Sequence, residues 1–344
     1  MLKKIKNKII KEIILTLLKV RIFKNKFFNK IFTQLLNFSG ENMYYLKQKD
    51  KEMILNRIRD IKNANNNISF NLDDDLIKIS REIKETGICS DLSVNVNEDD
   101  VKEVIDYFEK KHFYDSHTPH KENKKNFGDK PSGAYISYDN NTQLNCTPLL
   151  KLCLNDQIIK IAYSYLGCMP RLFSVNTFKT FPNQKAFTHG FHRDLDDFLW
   201  LTVFVYWTDT FENDGAFEQI KYTHCENKEL QRIRNQKFNG INYDKFYNDT
   251  MGYTDKSYDE FTRLFGKKNI LRVYGKRGKV VAADTAGLHR GTSVKNNRLV
   301  TWIRYGVTGS RQKNYSYEKK VDLNSRNKII FNQSKFKNVL EDIL

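Results

Sequence analysis

Acidic side chains are scarce in this chain: 41 Asp and Glu stand against 58 Lys and Arg, for a net charge of +17. The excess sits mostly at the ends. Residues 1–30 carry ten basic side chains against Glu12 alone, and residues 310–344 carry eight against four acidic ones, so the middle is only mildly basic. Overall charge therefore gives no argument for an anionic substrate. No recognised nucleic-acid motif accompanies the basic ends, and the aromatics fall in strand-like runs rather than among the lysines, so nucleic-acid binding is not expected. Cysteine is equally sparse. Cys89, Cys146, Cys153, Cys168 and Cys225 are scattered, odd in number and form no CxxC pair. That excludes a zinc ribbon or a disulfide framework and points to a reducing cytoplasm. Long apolar runs are missing as well. In the first twenty residues the longest, Ile13-Ile14-Leu15, breaks at Thr16, far short of the roughly 20 residues of a membrane span. No small-residue cleavage site follows, which argues against secretion. There is no internal repeat, glycine-rich phosphate loop or nucleophile elbow.

What the chain does have is enough apolar sequence for a full core: 344 residues, 40% hydrophobic, with 24 Phe and 18 Tyr that suit a β-rich interior. The expected organisation is one main domain over residues 41–310, a basic amphipathic extension over 1–40 and a basic extension over 311–344. Leu199 to Trp207 is an apolar, β-branched and aromatic run that reads as a buried strand. A polar turn over Thr208 to Gly215 and a returning strand over Ala216 to Ile220 follow. Ile270 to Tyr274 and Lys279 to Ala283 flank a Gly275-Lys276-Arg277-Gly278 turn; Arg298 to Tyr305 and Phe173 to Phe181 are further strands. Helices are expected from Leu76 to a stop at Gly87, from an Asn97 cap over Glu98 to Lys111, and from an Asp156 cap to Leu166-Gly167. Asn63 to Asn67 forms a polar joint, and residues 226–269 form a Tyr- and Asn-rich insertion with helical pattern around Tyr258 to Phe265.

The chemistry concentrates at His192-Arg193-Asp194 and, about a hundred residues later, at Asp284 to His289 and Arg298. Side chains at i and i+2 of a strand share a face, so His192 and Asp194 can reach one point. A second imidazole from His289 would complete two nitrogens and one carboxylate on one side of a metal, the facial set of non-haem Fe(II) oxygenases. Arg298 offers a planar fork suited to the distal carboxylate of a 2-oxo acid. His189 does not share a strand face with Asp194, which disfavours it as the ligand. Asp196 and Asp197 read as solvated loop carboxylates, although Asp196 shares the face if the strand continues. His224 reads as structural, Asp284 as a turn cap, and Arg304, with the strand parity of Arg298, as the rival carboxylate binder. His112, His117 and His120 read as a loop near the mouth of the site.

This order and spacing, His192-x-Asp194, Tyr206-Trp207-Thr208, Asn213-Asp214-Gly215, then Asp284 through His289-Arg290-Gly291 and Arg298, resembles the phytanoyl-CoA dioxygenase family of Fe(II)/2-oxoglutarate oxygenases over roughly residues 75 to 308. The resemblance implies a mainly β fold with flanking helices, a double-stranded β-helix or jelly roll. It implies Fe(II) held by His192, Asp194 and His289, with 2-oxoglutarate and O2 as co-substrates and Arg298 as the co-substrate arginine. Trp207 falls where the family often places a tryptophan beside the co-substrate. Apart from the resemblance, the Phe173 to Phe181 strand leads toward the site, so Asn176 and Lys179 are expected to touch the co-substrate. Hydroxylation with release of succinate and CO2 is the implied outcome; Asp194 argues against halogenation. One departure stands out: Lys221-Tyr222-Thr223-His224 replaces the family's Pro-Gly-Ser-His turn, which bears on the shape of the substrate entrance.

The prime substrate expected is a small molecule or a lipid- or glycan-linked one. Leu2, Ile5, Ile9, Ile13, Leu17 and Val20 recur at helical spacing among lysines, a pattern that fits an anionic membrane surface as well as a packed helix. Peripheral membrane contact through residues 1–30 is thus one expectation. The competing readings are a catalytically silent membrane or assembly module and a protein binding nucleic acid through its basic ends.

Overall fold

Alternation along the strands sorts this chain into two packed layers. The computed structural model describes residues 48–65, 70–115, 121–182, 189–194, 196–225, 258–308 and 321–340. The expected amphipathic helix of residues 1–40, with its membrane contact, lies outside the described residues, as do His117, His120 and most of the insertion, 226–257.

The strands are β1 (Ile88–Cys89), β2 (Phe113–Tyr114), β3 (Lys124–Lys125), β4 (Tyr135–Ser137), β5 (Arg171–Thr180), β6 (Trp200–Tyr206), β7 (Phe217–Ile220), β8 (Ile270–Val273), β9 (Val280–Ala283), β10 (His289–Gly291) and β11 (Arg298–Gly306). Eight of them form a sheet in the order β1-β9-β6-β11-β5-β4-β2-β3, and three form a second, β10-β7-β8. Every ladder is antiparallel. This is the expected jelly-roll core with flanking helices. The strand expectations hold to within about two residues, because each run is bounded by turn residues and fully buried in the middle.

The large sheet has two unlike faces. Along β11, Leu299, Thr301, Ile303 and Tyr305 point to a helical layer, while Arg298, Val300, Trp302 and Arg304 point toward the small sheet. Between the sheets lies a core of Phe178, Phe204, Tyr206, Phe217, Val281, Val300 and Trp302. Each such ring or branched chain contributes roughly 1.5–3 kcal/mol by burial. A β-bulge where β5 meets β11 at Arg304/Tyr305 shifts the register there.

The helical layer comprises α1 (Gln48–Asn65), α2 (Asp74–Thr86), α3 (Glu98–Phe108), α4 (Asn140–Leu144), α5 (Thr147–Cys153), α6 (Asp156–Leu166), α7 (Tyr258–Phe265) and α8 (Ser325–Gln333). α2 stops at Gly87, left-handed at φ 90°, as its glycine predicted. Asn97 caps α3 as expected, but that helix ends at Phe108 rather than Lys111. For α6 the cap is Asn155, whose side chain accepts from Ile158 N, not Asp156; Asp156 instead pairs with Lys160 in the first turn at 2.7 Å. Residues 321–340, expected as part of a basic extension, pack into the main core through Leu323, Phe336, Val339 and Leu340. None of the described helices is long and apolar enough to cross a membrane.

Candidate metal centre

Two backbone hydrogen bonds bring the histidines together. His192 N donates to His289 O and His289 N donates to His192 O, both at 2.9 Å, an isolated antiparallel bridge. Asp194 N donates to Thr285 O at 2.9 Å. So residues 192–194 are not a full strand, yet they are extended enough to put His192 and Asp194 on one side. The ring centroids of His192 and His289 lie 4.3 Å apart. Asp194 Oδ1 is 4.0 Å from His192 Nε2, and its Oδ2 is 3.6 Å from His289 Nε2. The three donor atoms lie within 4.8 Å of one another, the only such group among the described residues.

The imidazoles are set in one tautomer. His192 Nδ1 lies 2.9 Å from Gly190 O, and His289 Nδ1 lies 2.9 Å from Gly287 O. A carbonyl only accepts, so each Nδ1 carries the proton and each Nε2 presents its lone pair to the shared point. Burial lowers the pKa of His192, against the opposing charge of Asp194. Burial and the neighbouring His192 push His289 down to about 3. Burial works against ionisation of Asp194, but the Arg304 charge, together with the two imidazoles beside it, outweighs this and holds the carboxyl below its usual range. Two neutral imidazoles and one carboxylate are the state that binds a divalent metal. The residues fit such an ion.

The triad opens on a cavity of about 80 Å³. By the measure on which one water needs roughly 10–15 Å³, it takes several waters or a small organic acid. Its walls are Phe178, Phe204, Tyr206, Phe217, Val300 and Trp302, with Arg298, Gly291 and Arg304 also lining it. Arg298 is buried; its Nη1 donates to Gly215 O, and its Nε has no hydrogen-bond partner among the described residues. Burial lowers its pKa, offset in part by Tyr206 and Asp214. A buried guanidinium with an open donor is costly unless an anion meets it. The described geometry therefore fits a carboxylate at this end of the cavity and a metal at the other.

The Asn213-Asp214-Gly215 turn builds this end. Asp214 accepts from Lys295 N at 2.5 Å and from Asn296 Nδ2 at 2.6 Å, pinning the loop before β11. Gly215 is left-handed at φ 75°, and an added Cβ would lie 2.7 Å from Val294 Cγ1 and 3.0 Å from Arg298 Cδ. Gly215→Ala is expected to cost roughly 2–4 kcal/mol, from backbone strain plus overpacking. Urea unfolding checks this, and the displaced Arg298 should weaken binding of a dicarboxylate in the same variant.

The remaining expected contacts divide. Asn176 is buried on the cavity's face of β5, opposite Trp302, but is not among the lining residues. Lys179 is corrected: next to Phe178, which lines the cavity, it points to the helical face and reaches Glu109 at 3.7 Å. Trp207 is corrected for the same reason. Tyr206 faces the cavity, so Trp207 faces the helices, where its Nε1 donates to Thr301 Oγ1 at 2.7 Å. Asp196 and Asp197 are not solvated. Asp196 is 2% exposed and accepts from Arg304 Nη1 at 2.5 Å; Asp197 accepts from Thr308 N at 2.8 Å. Arg304 also donates from Nη2 to Asp194 Oδ2 at 2.6 Å. This Arg304–Asp196 pair is the part of the site that runs against the sequence expectation; the signal for it is the i, i+2 spacing of Asp194 and Asp196.

Supporting residues complete the frame. Asp284 Oδ1 accepts from Ala286 N at 2.9 Å and Oδ2 from the Tyr165 hydroxyl at 2.5 Å, so it caps the turn as expected. In the Lys221-Tyr222-Thr223-His224 turn, Tyr222 has φ 67° and Thr223 is fully buried. Thr223 Oγ1 accepts from Leu288 N at 2.9 Å, directly before His289. The turn therefore braces the segment that carries His289. His224 is structural, with Nε2 3.1 Å from Lys84 O. His189 Nδ1 lies 3.3 Å from Ser293 Oγ and stands outside the triad.

The chain is similar to several solved structures. HygX from Streptomyces hygroscopicus, solved with nickel and 2-oxoglutarate, matches at 16% identity over 69% of this chain and 87% of its own, with a TM-score of 0.44. SnoK, a non-haem α-ketoglutarate-dependent carbocyclase from nogalamycin biosynthesis, matches at 15% identity over 68% of this chain and 84% of its own, TM-score 0.41. AviO1 from Streptomyces viridochromogenes matches at 12% identity over 69% and 96%, TM-score 0.41. No family profile and no curated protein matches the chain.

Proposed function

We propose that this protein is an Fe(II)/2-oxoglutarate-dependent oxygenase of the phytanoyl-CoA dioxygenase kind, hydroxylating a small-molecule or lipid- or glycan-linked substrate. The observation that carries the reading is one cavity holding both a His-Asp-His triad and a buried arginine with an open donor. His192 and His289 would hold the metal through Nε2, and Asp194 through a carboxylate oxygen. Bound Fe(II) with 2-oxoglutarate and O2 supplies oxidative decarboxylation to succinate and CO2, coupled to oxidation of a substrate C–H bond. The chain's own part is placement. Gly190 and Gly287 carbonyls keep both imidazoles in the ligating tautomer. Arg298 receives the distal carboxylate in a setting where rings exclude water and strengthen the ion pair. The aromatic walls keep the reacting end dry.

The direct test is turnover without a prime substrate. With Fe(II), ascorbate, O2 and labelled 2-oxoglutarate, slow release of succinate and CO2 is expected, and none when Fe(II) is omitted. Absence of turnover together with absence of metal binding would overturn the reading.

A further inference from the structure

Arg304 contacts a member of the triad, and its fork is split. Nη2 donates to Asp194 Oδ2 at 2.6 Å and Nη1 to Asp196 Oδ2 at 2.5 Å. The guanidinium also lies over the Trp302 ring, 4.5 Å from its centroid. Arg304 and Asp196 are 4% and 2% exposed. A planar fork anchored at a second carboxylate and on a ring has little freedom, so the Asp194 oxygen it touches is fixed in direction.

From this we infer that Arg304, anchored by Asp196, is a positioning residue that holds Asp194 as a one-oxygen metal ligand. The inference rests on the proposed metal site. Oδ2 of Asp194 accepts the Arg304 bond and lies 3.6 Å from His289 Nε2, while Oδ1 lies 4.0 Å from His192 Nε2. An unrestrained carboxylate can swing to offer both oxygens to a metal and take up a coordination position. With Oδ2 tied to the fork, the carboxylate cannot turn to offer both oxygens equally to the ion, and the position a second oxygen would occupy stays open for exogenous ligands. Charge agrees with this arrangement. Two carboxylates and one guanidinium leave a net negative charge beside two neutral imidazoles, which suits a divalent cation. A lysine at 304 would keep the charge yet reach only one of the two acids, so charge and geometry can be separated.

The test uses the full chain and Co(II) alone, which needs neither co-substrate nor turnover. Binding is measured by calorimetry and by the visible d–d bands of the bound ion. Arg304→Lys and Asp196→Asn are compared with wild type after circular dichroism shows the fold is kept. Arg304→Lys is expected to weaken Co(II) binding roughly 10–100-fold, the usual effect of losing a ligand's orienting partner, and to alter the bands. Asp196→Asn is expected to give a smaller change of the same sign; if the lysine variant does not fold, it decides alone. Variants that bind Co(II) like wild type, with unchanged bands, would overturn the positioning role while leaving the metal site standing. A wild type that binds no Co(II) would overturn the metal site itself.

Discussion

His289→Ala is expected to abolish measurable divalent-metal binding, a loss beyond the roughly 10–100-fold seen when a partner one shell further out is removed. Three donors are the minimum for a facial site, and the two left behind, His192 and Asp194, are on a short irregular segment. Calorimetry with Co(II) or anaerobic Fe(II) checks it. Folding should survive, because the bridge that brings the segments together runs through backbone atoms, His192 N to His289 O and the reverse, each at 2.9 Å. Burial and His192 already disfavour the charged form of His289, pushed down to about 3, so a neutral replacement removes no favourable ion pair at neutral pH. A folded His289→Ala protein that binds metal normally would remove His289 from the site.

Arg298→Ala is expected to have the second largest effect, on the co-substrate rather than the metal. Truncating one partner of a buried, hydrogen-bonded charge pair costs about 2–5 kcal/mol, or roughly 30- to several thousand-fold in affinity. Much of the cavity wall is aromatic, so an incoming carboxylate finds few groups besides the arginine to replace its hydration, which places this case toward the upper end. Metal binding without co-substrate should be unchanged, since Arg298 makes no contact with the triad; its Nη1 is committed to Gly215 O. Arg298→Lys keeps the charge but loses the fork, so it should recover only part of the loss. Anaerobic titration of the metal-loaded variants with 2-oxoglutarate measures both. Equal loss of metal and co-substrate would mean that the substitution damaged the cavity as a whole.

The β core was readable because its strands are long, buried and bounded by turns, and because β6 and β11 alternate cleanly between two faces. The triad was readable for a local reason, the i, i+2 spacing of His192 and Asp194, plus the resemblance that picked out His289. Strand parity also contained the answer for Trp207 and Lys179. Tyr206 and Phe178 enter the cavity, so their neighbours must leave it. The Trp207 assignment came from the resemblance and that of Lys179 from its place on the strand leading to the site; both set the alternation aside. Burial of Asp196 and Asp197 was hidden because it depends on Arg304 and Thr308, more than a hundred residues away. The helices α1, α4, α5 and α8 were missed for a different reason. α4 and α5 are 5 and 7 residues long, too short to show a period, and α1 and α8 are polar segments held largely by tertiary packing. The insertion over 226–269 showed its helix, Tyr258–Phe265, through the spacing of Phe261, Leu264 and Phe265.

Under the proposed function, one cavity would hold a divalent iron and a 2-oxo diacid together. Anaerobic addition of Fe(II) and then 2-oxoglutarate to the full chain tests it most directly, through the visible iron-to-oxo-acid charge-transfer band. A band is expected that needs both components, disappears in His192→Ala and demands far more co-substrate in Arg298→Ala. A well-folded, metal-loaded wild type that shows no band at saturating 2-oxoglutarate would contradict it.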